Sequence, residues 1–182
     1  ESSNVIVSVI IPVHNAAEYI AETLTTVLAQ SLKEIEIILV NDSSTDNTLD
    51  IVTKIASEDS RVRVITNPSN VGGGESRNIG LRVATGEYII FLDDDDYADK
   101  EMLKRMSDRA TALQTDVVIC RCQSVDLQTN TRSGMILKKE QAGVQPGRTG
   151  AGRMRRMAVW LAALGVFLLD RLAKWLAVGG LA

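Results

Sequence analysis

Apolar runs alternate with amphipathic stretches along the first two thirds of the chain. Val5–Val13, Ile35–Val40, Val62–Thr66 and Tyr88–Leu92 are nearly continuous in apolar residues and rich in β-branched ones. Such runs are typical of strands buried on both faces of a parallel sheet. A further strand is expected at Asp116–Val125. Strands that alternate with helical stretches predict an α/β fold, a mostly parallel sheet and right-handed crossovers.

Helices are expected in the stretches between these strands. Their predicted limits are Asn15 to Ala29, Asp46 to Glu58, Glu75 to Ala84 and Asp99 to Leu113. Asn15 with Glu18 three residues later has the form of a capping box, and Asp46 is a candidate to cap the second helix.

The pattern fades after about Thr129. Gln141–Gly152 combines glycines, Pro146 and basic residues and indicates a linker. An arginine cluster then precedes thirteen uncharged residues, Met157–Leu169, which are followed by Asp170 and Arg171. We therefore predict three parts: a domain over residues 1–125, a partial strand and linker over 126–152, and a basic-then-apolar helix over 153–182.

Charge is divided unevenly between these parts. The net charge is −3, and residues 144–182 carry six basic residues against one acid, so residues 1–143 carry −8. An acidic body excludes a nucleic-acid-binding surface and suits a cation-dependent site. The only cysteines, Cys120 and Cys122, favour core packing over a zinc site, because no further cysteine accompanies them. With no disulfide framework and no amino-terminal signal peptide, we expect a cytoplasmic protein.

Four consecutive aspartates, Asp93–Asp96, follow directly on the apolar run Tyr88–Leu92. Open α/β sheets bind their ligands at the carboxyl ends of their strands. Carboxylates packed so closely require a neutralising cation, and their oxygens suit Mg²⁺ or Mn²⁺. A divalent metal at such an edge indicates chemistry on a phosphate ester. The alternative is a solvated acidic loop that caps the helix expected from Asp99.

Three further features lie at predicted strand ends or loops. Asp42 follows the second strand and is a candidate ligand of a nucleotide base, with a purely structural turn as the alternative. Gly72–Gly74 would let backbone approach a ligand and Arg77 would then reach a phosphate, although loop flexibility explains the glycines nearly as well. His14, the only histidine, follows the first strand and is either a crevice residue or incidental.

Four motifs in order carry a family resemblance. They are Val9–Asn15, Val40–Asp46, Asn70–Gly72 with Ser76–Asn78, and Gly86–Asp96. Together they resemble the family 2 glycosyltransferases, whose nucleotide-sugar-binding domain is Rossmann-like and of glycosyltransferase-A type. The resemblance extends from about Ser8 to Leu103.

The resemblance implies roles at matching positions. Asp42 would hydrogen-bond the base, Asp93 would face the ribose or the ion, and Asp95 would coordinate the metal. The expected nucleotide-sugar-binding residues are Pro12, Val13, His14, Asn15, Glu18, Asp42, Arg77, Asp93 and Asp94, and the expected metal ligands are Asp93 and Asp95. Asp94 stands where the family often has a small residue, which leaves open which carboxylate binds.

The activity implied is metal-dependent transfer of a sugar from a nucleotide-sugar, with a UDP-sugar favoured, to an acceptor hydroxyl with inversion. A saccharide or a lipid-linked molecule would be the acceptor. The general base is not identifiable: the family places it in an acceptor half that this chain does not complete, and Asp170 is the only acid after Val144. The alternative is therefore a non-catalytic nucleotide-binding remnant.

The segment Trp160–Leu176 resembles the first transmembrane segment of lipoprotein signal peptidases, whose catalytic aspartates have no counterpart here. A chimeric or frameshifted gene is one hypothesis for this junction. Met157–Leu169 is shorter than the roughly 20 residues that span a bilayer. Three interpretations stay open: a helix associated with the inner face of the cell membrane, a helix packed on the domain, and an unstructured or artefactual end.

Overall fold

The structure, a computed structural model, describes residues 4–120, 123–126, 131–134 and 159–161 of the 182 in the chain. The strands are β1 Val7–Val13, β2 Ile35–Asn41, β3 Val62–Thr66, β4 Tyr88–Phe91, β5 Gln123–Asp126, β6 Thr131–Gly134 and β7 Val159–Leu161. The helices are α1 Ile20–Leu28, α2 Thr48–Glu58, α3 Gly73–Val83 and α4 Met102–Leu113.

The main sheet has the strand order β3-β2-β1-β4-β7. Strand β1 pairs in parallel with β2 on one side and β4 on the other, and β2 pairs in parallel with β3. The predicted parallel α/β sheet is thus confirmed over four strands. The register aligns Val13 with Asn41 and Ile10 with Phe91, so the loops that follow β1, β2 and β4 lie side by side.

The central strands are buried because the helices pack on the sheet. In β1 every residue but Pro12 is buried, as the nearly continuous apolar sequence of this strand predicts. Helix α3 lies so close to β1 that a Cβ on Gly80 would stand 2.5 Å from Ile10 Cγ2. Glycine at this position therefore allows the helix to approach the strand, and that approach brings the start of α3 to the end of the sheet.

Three helices begin later than the sequence predicts, and α2 does so by only two residues, at Thr48. Helix α1 begins at Ile20, not after Asn15, because Asn15 adopts a positive φ of 53° and uses its side chain in another loop. The expected capping box with Glu18 does not form, since Tyr19 is the N-cap residue and makes no side-chain cap bond. Helix α4 begins at Met102 rather than near Asp99.

The region after α4 also departs from expectation. Residues 116–120 of the predicted strand Asp116–Val125 are not in a strand, whereas its last three residues belong to β5. Strand β5 pairs antiparallel with β6 in a separate two-stranded sheet. The pattern of apolar residues does not locate the ends of a strand that pairs with the other strand of a short hairpin. This hairpin lies in a second compact unit, residues 119–143 with 161–182, whereas β1–β4 and α1–α4 belong to a first unit, residues 1–118 with 144–160.

The helix expected over residues 153–182 lies outside the described residues except at Val159–Leu161, which form strand β7 and correct the expectation there. A short apolar run does not distinguish strand from helix by periodicity alone. The resemblance to a transmembrane segment falls on the same residues and stays a prediction, as do the domain limits at 125 and 152. None of the helices in the described ranges is long and apolar enough to cross a membrane.

Candidate nucleotide-sugar site

The candidate site lies where the chain changes direction across the sheet. From β1 the chain continues to β2 and β3 on one side, and it returns with β4 on the opposite side of β1. Ligands of open α/β sheets bind at such a switch point, outside the carboxyl ends of the strands. A cavity of about 190 Å³ opens there, lined by Pro12, Val13, His14, Asp42, Gly73, Arg77, Asp93 and Asp94.

Asp42 organises the glycine loop beside this cavity. Its side chain is buried, Oδ1 accepts hydrogen bonds from Asn67 Nδ2 at 2.8 Å and Val71 N at 2.9 Å, and Oδ2 accepts one from Gly72 N at 2.7 Å. Burial, the largest influence, raises the pKa of Asp42, but these three hydrogen bonds together lower it below its usual value. A carboxylate offers about four acceptor positions, so one is left after these three hydrogen bonds.

His14 is oriented by the same loop. Its Nδ1 lies 2.7 Å from the carbonyl oxygen of Asp42, so Nδ1 carries the proton and donates it. Asn70 Nδ2 is 3.3 Å from both ring nitrogens. An atom equally distant from both, at that range, lies over the face of the ring, because in the ring plane it would overlap Cε1. His14 thus lines the cavity with its ring held by the neighbouring loops, and its role in binding stays a prediction.

Arg77 and Asp93 form an ion pair across the cavity. Arg77 Nη2 is 2.5 Å from Asp93 Oδ1, and both side chains are partly buried. Arg77 Nε is buried and has no hydrogen-bond partner among the described residues. Arg77 lies one turn into α3, whose first residue, Gly73, also lines the cavity. The cavity therefore combines a guanidinium with a helix N-terminus, both of which favour an anion.

The aspartates after β4 form a tight turn. Asp96 N donates to Asp93 O at 3.2 Å, and His14 N donates to Asp94 Oδ2 at 3.3 Å. Burial, together with the charges of Asp95 and Asp93, raises the pKa of Asp94 above its usual value. Burial, followed by the charges of Asp93, Asp95 and Asp94, raises the pKa of Asp96 to about 6. Negative charge is thus in excess at this turn.

Comparison with known proteins agrees with this arrangement. The family described as Glycosyl transferase family 2 matches residues 8–160, which include the whole cavity and all but the first residue of the four parallel strands. The chain belongs to this family.

Several relatives of this family 2 member have been named or solved. It is 41% identical over 115 residues to "Uncharacterized glycosyltransferase EpsJ" of Bacillus subtilis, covering 63% of this chain and 33% of EpsJ. It is 47% identical over 92 residues to the Escherichia coli "UDP-Glc:alpha-D-GlcNAc-diphosphoundecaprenol beta-1,3-glucosyltransferase WfaP", covering 50% of this chain and 36% of WfaP.

A crystal structure of Staphylococcus aureus TarS, residues 1–349, in complex with UDP has a TM-score of 0.59 and 36% identity to this chain. The alignment covers 63% of this chain and 35% of that one. TarS is named a poly(ribitol-phosphate) beta-N-acetylglucosaminyltransferase. The chain thus spans about a third of the length of these relatives.

The chemistry of the turn suits the divalent cation that the family resemblance implies. Within the part of the chain that the structure describes, Asp96 Oδ2 is buried without a hydrogen-bond partner. Burial, and after it the charges of the neighbouring aspartates, raises the pKa values of Asp94 and Asp96. No three Asp, Glu, His or Cys side chains converge as a metal cage within the described residues. Mg²⁺ commonly uses only one or two carboxylates together with substrate phosphates, so these residues fit such an ion.

The structure does not bring every predicted site residue to the cavity of this family 2 member. Asn15 is exposed and joins the loops after β1 and β2, because its Oδ1 accepts from Thr45 N at 2.8 Å. Glu18 is exposed in the segment before α1, and Asp95 is exposed at the tip of the acidic turn. These three are absent from the cavity lining. Their roles stay predictions.

Sequence reasoning assigned no role to three polar residues that shape the site, although Asn70 stands in one of the four motifs. Asn67 directly follows β3 and supports Asp42, and Asn70 covers the ring of His14. Thr23 of α1 is fully buried and donates its hydroxyl hydrogen to the carbonyl oxygen of Asp94 at 2.9 Å. A polar residue directly after a predicted strand was a usable signal for Asn67. Nothing local to Thr23 indicated its contact, which joins residues far apart in the chain.

Proposed function

We propose that this chain is the donor-binding part of a glycosyltransferase that uses a nucleotide-sugar, with a UDP-sugar favoured. The observation that carries the proposal is the cavity at the switch point, which brings together Asp42, His14, Arg77 and Asp93. Support also comes from family membership and from the similarity to TarS, which was solved with UDP and with UDP-GlcNAc.

The cavity suggests a division of labour along the donor. Asp42 has an acceptor position left for an N–H of the base, and His14 would provide a wall against which the base packs. Arg77 and the start of α3 would face the diphosphate, since both favour negative charge. The Arg77–Asp93 pair would have to open or share its guanidinium when the diphosphate binds.

We propose that transfer proceeds with inversion at the anomeric carbon and depends on Mn²⁺ or Mg²⁺. Asp95, with Asp93 as a second ligand, would hold the ion, and the ion supplies a Lewis acid that offsets the charge of the departing diphosphate. The acceptor hydroxyl requires a carboxylate base on the opposite face of the sugar. Asp170, the one acid after Val144, lies outside the described residues.

We also propose a saccharide or lipid-linked acceptor and a location at the inner face of the cell membrane. The name of WfaP gives a diphosphoundecaprenol acceptor for that protein, and residues 153–182 here are basic and then apolar. Fractionation of the full chain and of residues 1–152 tests the location. We expect only the full chain to sediment with membranes, and recovery of both in the supernatant would overturn the location.

The decisive experiment for donor binding is calorimetry of UDP with and without Mn²⁺. We compare the wild type, Asp95→Ala and the control Asp50→Ala, whose exposed carboxylate lies on α2. We expect Mn²⁺ to strengthen UDP binding in the wild type and the control but not in Asp95→Ala. A folded wild type that does not bind UDP would refute the donor assignment for this nucleotide. An equal Mn²⁺ effect in Asp95→Ala would refute Asp95 as a metal ligand.

A further inference from the structure

Helix α1 carries a polar stripe on a buried face where an apolar one is expected. The stripe consists of Thr23 and Thr26 in α1 and of Gln30, two residues beyond the end of the helix. The three are spaced three and four residues apart, as core residues of a helix are. Thr23 and Gln30 are fully buried, and Thr26 is partly buried. Buried polar side chains are unfavourable unless they are hydrogen-bonded. The partners of this stripe therefore indicate what it does.

The partners are backbone groups of the segment that follows β4. Thr23 Oγ1 donates to Asp94 O at 2.9 Å, and Ala98 N donates to Thr26 Oγ1 at 3.1 Å. Gln30 Nε2 donates to Asp99 O at 2.7 Å, and Leu103 N donates to Gln30 Oε1 at 3.0 Å. The stripe thus fixes the backbone from the acidic turn to the start of α4 without touching any of its carboxylates.

The bond from Thr23 falls at a sensitive place in the acidic turn. Asp93 to Asp96 form a turn closed by the bond from Asp96 N to Asp93 O, and Asp94 O belongs to its central peptide. That peptide can flip between two turn types, and the flipped type requires a positive φ at the third residue. Asp95 is not among the residues with positive φ. The Thr23 hydroxyl therefore stabilises the observed orientation of the Asp94–Asp95 peptide. That orientation sets the position of the Asp95 Cα atom and the direction of its side chain.

We propose that Thr23 is a positioning residue for the donor site: by holding the central peptide of the Asp93–Asp96 turn, its hydroxyl aims Asp95 toward the cation. The proposal rests on the proposed function in that it takes Asp95 as the metal ligand. Outer hydrogen-bond partners of metal ligands commonly change metal affinity by about 10–100-fold when they are lost. Thr23 would change the affinity for the metal in this way, by fixing the turn and not by contact with the donor.

The first measurement is the ¹H–¹⁵N spectrum of the full chain without ligand. Thr23→Val and Thr23→Ala remove the hydroxyl, and Thr23→Ser retains it. Thr25→Val is the matched control, because Thr25 is an exposed threonine of the same helix whose hydroxyl donates to Ala21 O, one turn back in that helix. We expect the Asp95 amide signal to shift or broaden in Thr23→Val and Thr23→Ala, and to stay in place in Thr23→Ser and Thr25→Val.

The second measurement is UDP affinity with and without Mn²⁺ in the same variants. We expect Thr23→Val and Thr23→Ala to lose about 10–100-fold of the Mn²⁺-dependent affinity, with metal-free UDP affinity unchanged and Thr23→Ser close to the wild type. Thr23→Ala decides the outcome if Thr23→Val does not fold.

Two results would overturn the proposal. One is an Asp95 amide signal that stays in place when the hydroxyl is removed. The other is an equal loss of metal-free and Mn²⁺-dependent affinity, which would indicate a merely structural threonine. If Mn²⁺ does not change the UDP affinity of the wild type, metal-dependent donor binding is refuted, and so is the proposed effect of Thr23 on metal affinity. The ¹H–¹⁵N spectrum still decides whether Thr23 holds the turn.

Discussion

Replacement of Asp42 by asparagine tests how the glycine loop is held. Asp42 accepts two hydrogen bonds at Oδ1 and one at Oδ2, and its side chain is only 2% exposed. An asparagine can keep the pair at Oδ1, but its NH₂ group then faces the N–H of Gly72. One hydrogen bond to a charged acceptor is lost, which costs about 1.5–3 kcal/mol, and the other two become weaker neutral bonds. We expect Asp42→Asn to lower the free energy of unfolding by about 2–4 kcal/mol.

The pH dependence of the difference in free energy of unfolding between the wild type and Asp42→Asn gives the sharper test. The hydrogen bonds hold the pKa of Asp42 below its usual value, so ionised Asp42 stabilises the fold. This contribution is fully present above the unfolded pKa, near 3.9, and is lost as the pH falls through the lower folded pKa. The gap between the wild type and Asp42→Asn should therefore be widest near neutral pH and narrow below about pH 4.

Urea denaturation from pH 7 to pH 3 measures this gap. The control is Asp50→Asn, the same change at an exposed position of α2, which we expect to alter stability by less than about 0.5 kcal/mol. An Asp42→Asn variant as stable as the wild type at pH 7 would refute the reasoning, and so would a gap that does not change with pH.

Two further predictions concern the packing of α3 and the charge of the acidic turn. Gly80→Ala should destabilise the fold by about 1–3 kcal/mol in urea denaturation, because its Cβ would meet Ile10 Cγ2 at 2.5 Å. Gly74→Ala, which meets nothing within 4 Å in the same helix, is the control, and equal effects would contradict the packing argument. The pKa of Asp96 is raised to about 6, so its ionisation lowers the stability of the fold as the pH rises from about 4 to 6. The free energy of unfolding of Asp96→Asn should exceed that of the wild type by about 1 kcal/mol at pH 7.5, a value that allows for solvent screening, and should equal it near pH 4. A difference in free energy of unfolding that does not change with pH would contradict this prediction.

Much of the fold could be predicted because its signals are local. Long apolar runs with β-branched residues indicate buried parallel strands wherever they pack, and the observed limits of β1 to β4 lie within two residues of those expected. The carboxyl ends of such strands carry the ligand-binding loops, so Asp42 and the run Asp93–Asp96 could be chosen from their positions, whereas Asp93 was singled out by the family resemblance. Short elements such as β5 and β7 could not be delimited, because their limits depend on pairing with distant strands.

The sequence by itself determined the parallel α/β class, the family and the polar residues that follow each strand. Only the tertiary structure decided how these residues meet. The register between β1 and its neighbours brings His14 beside Asp42 and Asp94, whereas Asn15 turns away to hold Thr45. The buried stripe of Thr23, Thr26 and Gln30 became a support for the acidic turn only when α1 packed against it. Local pattern sets which face or end of an element a residue occupies. Its partner is set by contacts between residues 28 to 80 positions apart, and no local pattern records those contacts.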